Sequence, residues 1–403
     1  MEKIYKYIVL TLIAAMLSLT AAAAGLGENS RISLLTCSPG TEVWSNYGHT
    51  ALRVCDEDSG MDVCFNYGIF SFSTPHFIWR FCTGETDYIV GAQDTGSFLE
   101  EYIREGRGVT EQVLNLDLEA RNRIWNALYL NIQPQNRTYR YNFFYDNCAT
   151  RVRGMIENNC GSTVEYDSST AFSTMWEAVD FYTQDYPWTN FGISLILGAP
   201  ADSPASHRDL MFAPEVMMDG FDGASIDGER LVTEKKTLVE GKQLHSRQAS
   251  LPSPDLVLGL VFAVVVFVSG TELGKKKRFR VVDGILWGLS GIAGVVIAFL
   301  AFFSTHPATD PNYLLIWLDP LALAYAIALC FRKFRNSYAA DFVQMVFLPF
   351  VLFGLAGFFF LPQHFHPALI PLNLCLLSRC ILAVVNGLNR TGHRKQLKKA
   401  VHL

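Results

Sequence analysis

From Leu256 to Val385 the chain is mostly long apolar runs, and this excludes an ordinary soluble fold for its C-terminal third. Five stretches are long enough, or nearly so, to cross about 30 Å of hydrocarbon. They lie near Leu256–Gly274, Gly284–Phe303, Tyr313–Phe331, Phe342–Leu361 and Ala368–Val385. The first is the weakest, because its purely apolar part ends at Val268. The connections alternate in charge. Lys275, Lys276, Lys277, Arg278 and Arg280 follow the first stretch. Arg332, Lys333 and Arg335 follow the third, and Arg390, Arg394, Lys395, Lys398 and Lys399 follow the fifth. The other two connections, Ser304–Asn312 and Pro362–Pro367, hold no Lys or Arg. By the positive-inside rule the C-terminus is cytoplasmic and the preceding domain lies outside.

The N-terminus agrees with that orientation. Lys3 and Lys6 precede an apolar stretch from Tyr7 to Leu19 and a small-residue zone from Ala21 to Gly25. This is the pattern of a Sec-type signal peptide, or of an anchor helix that is retained. The expected organisation is therefore a signal peptide (1–24), an exported domain (25–220), a linker with a possible hairpin (221–254), a five-helix transmembrane domain (255–388) and a basic cytoplasmic tail (389–403). The place is the inner membrane, multi-pass. The net charge of −5 describes no single surface, and the globular part has no basic patch for nucleic acid.

Two charges fall inside the apolar stretches, Asp319 and Arg379. They read either as a polar pocket or as a structural pair, with Arg379 alternatively reaching toward the inner face. His306, His364 and His366 lie in the two connections without Lys or Arg; a metal reading competes there with ordinary His-Pro turns. We assign no metal and no cofactor.

The exported part reads as α/β. Thr50–Cys55 and Met61–Phe65 form a hairpin around the turn-rich Asp56–Gly60. Asp87–Ala92 and Thr110–Asp117 read as strands. Ser97–Gly106, Leu118–Gln133 and Trp176–Thr183 read as helices. Tyr139–Tyr145 is extended, and Asn147 caps a helix running to about Asn158. Six of the nine cysteines lie here: Cys37, Cys55, Cys64, Cys82, Cys148 and Cys160. In an oxidising compartment disulfides are the expectation, and a cross-strand Cys55–Cys64 bridge fits the hairpin. The spacings form no zinc pattern.

Cys148 is set apart by its place in Tyr145-Asp146-Asn147-Cys148-Ala149-Thr150-Arg151, at a helix start. There the helix dipole and backbone N–H groups favour a thiolate and can receive an oxyanion. A thiol nucleophile also needs a base and a group to orient it. His49, in Ser45-Asn46-Tyr47-Gly48-His49-Thr50, is the best base. Asn66, in Phe65-Asn66-Tyr67-Gly68, can orient it from the neighbouring strand. Asn46, Tyr67 and Arg151, from the same three segments, are the candidate substrate-binding residues. Against this stand a Cys148–Cys160 disulfide and a His49 bonded only to backbone.

These three segments together resemble the circularly permuted NlpC/P60-like (papain-like) thiol enzymes, including the lecithin:retinol acyltransferase group. The whole chain beyond the signal resembles the Lnb lipoprotein N-acyltransferase family of Bacteroidota, in which such an exported domain precedes a membrane bundle. The segments Trp188–Pro200 and Ser304–Trp317 share in that resemblance. It implies an α+β exported domain fused to about five transmembrane helices. It implies Cys148 as nucleophile and His49 as base; relatives often carry His where Asn66 falls. The implied reaction moves an acyl chain from a phospholipid, through a Cys148 thioester, to the N-terminal amine of a lipoprotein. Phe143, Phe144, Trp188 and Phe191 would help exclude water from the thioester, or serve as ordinary core. The rival readings are a membrane-anchored cell-wall peptidase or amidase, and a non-enzymatic membrane assembly protein with a disulfide-bonded exported domain.

Overall fold

The computed structural model describes residues 25–167, 171–242, 251–275 and 277–401. The expected signal peptide and part of the expected linker lie outside the described residues. The side chains of the basic tail from residue 390 do so as well.

The exported part is built on a seven-stranded antiparallel sheet. Its strands are β1 (Ser30–Cys37), β2 (His49–Asp56), β3 (Met61–Ile69), β4 (Asp87–Asp94), β5 (Val109–Leu114), β6 (Thr138–Arg140) and β7 (Val232–Val239). Their order is β7-β5-β1-β2-β3-β4-β6. The expected hairpin is β2–β3, with Ala51 opposite Asn66 and Arg53 opposite Cys64. Alternation of side chains gives the sheet two buried faces. One carries Leu34, Leu52, Val54, Phe65 and Tyr67. The other carries Leu35, Cys37, Ala51 and Cys64.

Helices α1 (Phe77–Thr83) and α2 (Thr95–Glu105) follow β3 and β4. Next come α3 (Leu118–Asn131), α4 (Cys148–Glu157), α5 (Met175–Thr183), α6 (Pro187–Ile196) and α7 (Pro214–Asp222). Ile124 and Leu128 of α3 and Val152 and Ile156 of α4 are fully buried against the first face. Phe98 and Tyr102 of α2 cover the second.

Two expectations are corrected here. The segment from Val232 to Val239, assigned to a linker with a hairpin, is edge strand β7, paired with β5. All nine cysteines are free thiols. Cys55 is opposite Asp62, and Cys64 is opposite Arg53, so the two cysteines are offset rather than paired.

Among the described residues, the C-terminal part holds four helices long and apolar enough to cross a membrane. They are α8 (Pro254–Lys275), α9 (Arg280–Phe303), α11 (Tyr338–Gly357) and α12 (Leu369–Val401); the short α10 (Leu321–Ala328) precedes α11. The third apolar stretch is not one spanning helix. A single 3-10 turn, Tyr313–Ile316, leads through Trp317–Pro320 into α10. The reason lies in Asp319-Pro320: Asp319 Oδ1 accepts the Leu321 N–H at 2.8 Å and starts α10. Pro320 biases the residue before it away from helix. Asp319, the residue before the N-cap Pro320, thus takes up the first N–H of α10.

Arg379 is fully buried and sits in an ion network at the basic end of the bundle. It donates to Asp283 Oδ1 at 2.8 Å and to Glu272 Oε1 at 2.9 Å. Arg278 and Arg280 join Asp283 and Asp341 to the same cluster. Of the two sequence readings for Arg379, this is the structural one, with different partners from Asp319.

The exported domain docks on the two connections that hold no Lys or Arg. Thr305 N donates to Thr83 O at 2.9 Å, and His306 Nε2 meets Phe81 O at 2.6 Å. Gly198 N donates to Ala308 O at 2.7 Å, and Asn312 Nδ2 to Leu195 O at 2.9 Å. His364 stacks on Trp176 at 5.0 Å while its N–H reaches Asp202 Oδ2 at 2.8 Å. His366 Nδ1 accepts from Ala368 N at 3.1 Å. Each of the three histidines is thus engaged at this junction or at a helix start. Gly198 is required by close approach: a Cβ there would lie 2.4 Å from Pro311 O.

Candidate active site

His49 opens β2. The chain reaches it through a 3-10 turn, Val43–Ser45, and through Gly48 at φ +83. A side chain at Gly48 would meet the Cys37 carbonyl at 2.5 Å, so glycine is needed both for the conformation and for the space. His49 lies two residues before Ala51, the partner of Asn66, and alternation puts both side chains on one face. His49 Nε2 and Asn66 Oδ1 are 2.7 Å apart. An amide oxygen only accepts, so Nε2 donates, and Nδ1 is left for another partner.

That partner is Cys148, at the first position of α4. Asn147 fixes this end of the helix. Its Oδ1 accepts the N–H groups of Ala149 and Thr150, each at 2.9 Å. Its Nδ2 donates to the carbonyls of Phe143 at 2.9 Å and Phe212 at 2.8 Å. Thr150 Oγ1 returns a bond to Asn147 N at 2.8 Å, completing a capping box. The cap thus takes up two first-turn donors, the N–H groups of Ala149 and Thr150.

Cys148 is half-buried, and its thiol hydrogen-bonds His49. Burial pushes the thiol up. The charge and hydrogen bond of His49, with backbone N–H groups of Thr50 and Ala149 on the sulfur, outweigh burial and hold it below the usual thiol range. Burial pushes His49 down. The charge and hydrogen bond of Cys148, helped by Asn66, outweigh it and raise the imidazole above its ordinary value. Both shifts favour a thiolate–imidazolium pair, the state needed for nucleophilic attack. Arg107 acts on His49 in the opposite sense. It enters from the loop after α2, donates to Ser38 O at 2.8 Å and lies over the Tyr102 ring. No local sequence pattern pointed to it.

The remaining sequence candidates divide. Asn46 is 1% exposed, and among the described residues neither of its side-chain amide atoms has a hydrogen-bond partner. Arg151 forms a fork with Asp146, with Nη2 to Oδ2 at 2.6 Å, and lies 4.2 Å over the Tyr139 ring. Tyr67 is part of the core, its hydroxyl donating to Asn131 Oδ1 at 2.7 Å. Its strand neighbour Asn66 points to the opposite face of the sheet. Phe143 and Phe144 pack with Tyr47 and Phe212 beside the Asn147 cap. Trp188 and Phe191 do not: Trp188 Nε1 donates to Pro252 O at 3.0 Å, and Phe191 packs against the bundle.

A Cys148–Cys160 bridge does not fit this arrangement. Cys148 opens α4 and Cys160 lies three residues beyond its end at Glu157, a helix that alone spans about 13.5 Å at 1.5 Å per residue. A disulfide needs Cα atoms within about 7 Å. Cys160 Sγ is instead directed at the Glu157 and Ser162 carbonyls.

Comparison with known families matches residues 27–179 to a model described as Lnb N-terminal periplasmic domain. Residues 246–390 match a model described as Lnb transmembrane domain. No curated protein matches the chain, and no solved structure matches it.

Proposed function

The chain belongs to the Lnb family, with a periplasmic domain followed by a membrane domain, and from that premise we propose that it is a thiol-dependent lipoprotein N-acyltransferase. One observation carries the chemistry: Cys148 at a capped helix start, hydrogen-bonded to His49, whose other nitrogen is held by Asn66. The chain order His, Asn, Cys is that of a permuted NlpC/P60-like domain, and that is the fold relationship we propose.

In the first half-reaction the Cys148 thiolate attacks the carbonyl carbon of a phospholipid ester. The Cys148 N–H stabilises the oxyanion. The ester C–O bond breaks, His49 Nδ1 gives its proton to the departing glycerol oxygen, and lysophospholipid leaves. A thioester remains on Cys148. In the second half-reaction the neutral α-amine of a lipoprotein's N-terminal diacylglyceryl-cysteine attacks the thioester. His49 takes the amine proton, the C–S bond breaks, and the thiolate–imidazolium pair is restored with an amide as product.

The attached bundle supports a lipid reaction over cell-wall peptide cleavage. A domain tethered at the bilayer meets membrane-held donor and acceptor at high effective concentration. The connections without Lys or Arg touch the domain, and the basic residues lie at the other end of the bundle. This supports an inner-membrane protein with a cytoplasmic C-terminus. The test is mass spectrometry of lipoprotein N-termini in cells that depend on this protein. Cys148→Ala is expected to leave the amine free. Normal acylation by that variant would refute the mechanism, and muropeptide cleavage with unchanged lipoproteins would favour the peptidase.

A further inference from the structure

The exported domain carries an apolar ridge that the fold leaves uncovered. Trp44 is 63% exposed, Phe72 64%, Ile78 78% and Trp79 60%. They come from the turn before β2, the loop after β3 and α1, and they join into one patch. Trp44 meets Phe72 edge-on at 6.0 Å, and Phe72 meets Phe77 of α1 at 5.1 Å. Water-facing surfaces rarely gather so much large apolar area, and such patches mark membrane or partner contacts.

The position of the ridge names its occupant. Trp79 lies 5.6 Å from Phe299, near the end of α9 where Phe302 and Phe303 are 66% and 74% exposed. Thr83, the last residue of α1, holds Thr305, just beyond the end of α9. The ridge therefore continues the lipid-facing surface of a membrane helix at the level of the bilayer boundary, where Trp and other amphipathic aromatic groups are favoured.

On its inner flank the ridge continues into a stack of aromatic rings. Phe70 stacks on Phe77 at 5.7 Å and on Tyr88 at 4.9 Å, and Tyr88 stacks on Tyr141 at 4.2 Å. Phe70, Tyr141 and Cys148 pack against the same core cluster. We propose that the ridge sits in the hydrocarbon of the adjoining leaflet, and that the Phe70–Tyr88–Tyr141 stack is the track along which a lipid acyl chain reaches Cys148. The second half of this proposal rests on the acyl-transfer reading, whereas insertion of the ridge stands independently of it.

The test uses the full chain in lipid nanodiscs containing phosphatidylethanolamine with a diazirine in its acyl chain. After irradiation, peptides are mapped by mass spectrometry. Labelling is expected within residues 69–82 as well as at the exposed end of α9. Insertion is refuted if α9 is labelled while residues 69–82 carry no more label than the exposed face of α2 around Ile103. In the same discs, the double variant Ile78→Asn/Trp79→Asn is expected to lower acyl transfer from bilayer phospholipid by at least about tenfold, since two large apolar groups leave the hydrocarbon. Ile103→Asn is the control and keeps the wild-type rate. Normal transfer by the double variant overturns the track. Labelled residues 69–82 in a wild-type protein that transfers no acyl group overturn the proposed function and leave insertion standing.

Discussion

At the scale of single residues the site turns on how Asn66 and Cys148 share the two nitrogens of His49. Asn66 accepts from Nε2 and helps raise the imidazole, so in the proposed reaction it is a positioning residue. The pH dependence follows in sign. Cys148 is held below the usual thiol value of 9.0, so thiolate is lost only as pH falls through that lowered value. His49 is held above 6.5, so the imidazolium is lost as pH rises through the raised value. The kcat/KM of ester donors is expected to be bell-shaped between these limits. Asn66→Ala is expected to lower kcat by roughly tenfold to a hundredfold and to shift the alkaline limb to lower pH. An unmoved alkaline limb would show that Asn66 only packs. Gly48→Ala is expected to destabilise the domain by roughly 1–3 kcal/mol, seen in thermal unfolding, because its φ and the Cys37 carbonyl both oppose a side chain. His49, Asn66 and Cys148 were legible in sequence because each stands in a short string whose local geometry is self-contained. Tyr67 reads as a neighbour of Asn66 in sequence, whereas strand alternation turns its side chain to the opposite face, into the core beside α4. Arg107 was invisible because the chain brings it to His49 from a distant loop.

At the scale of elements, α4 is the piece whose placement matters most. Asn147 caps the helix and also ties it to the Phe143 and Phe212 carbonyls. Asn147→Ala is expected to cost about 1 kcal/mol or more, measured by thermal unfolding. The same variant should slow alkylation of Cys148 by iodoacetamide at neutral pH, because the helix start no longer supports the thiolate as well. An unchanged alkylation rate would mean that His49 alone sets the thiol's reactivity. The sequence located α4 and its cap because the Asn-Cys-Ala-Thr string is a strong local signal. It missed β7 for a physical reason: Thr233, Glu234 and Lys235 are exposed on an edge strand, and edge strands are often charged enough to read as loop. It missed α1 because an apolar surface on a seven-residue helix looks like core. The third apolar stretch passed as a spanning helix on hydropathy, which does not sense that Asp319-Pro320 interrupts the backbone pattern.

At the scale of the whole molecule, the domain and the bundle are joined by backbone contacts that leave little room. Gly198→Val is expected to force Leu197 and Pro311 apart and to cut acyl transfer in discs while isolated thiol alkylation continues. Loss of both together would place the defect in the site rather than at the junction. At the far end, Arg379→Met leaves Glu272 and Asp283 without their buried partner. It is expected to cost roughly 3 kcal/mol, read as a lowered Tm in detergent. The non-helical backbone between Ser304 and Pro320 has one more consequence, for how the protein is made. A Cβ at Gly294 would meet the Leu318 carbonyl at 2.3 Å, so Leu318 touches α9 about 14 Å inward of its end at Phe303. Exposed peptide groups are costly at that depth unless protein covers them. Tyr313 N is answered by Gln363 Oε1 at 2.6 Å, from a residue not yet synthesised when this stretch leaves the ribosome. The stretch is therefore expected to settle only once α11 and the residues beyond it have been made, a late step that cross-linking of stalled chains would detect.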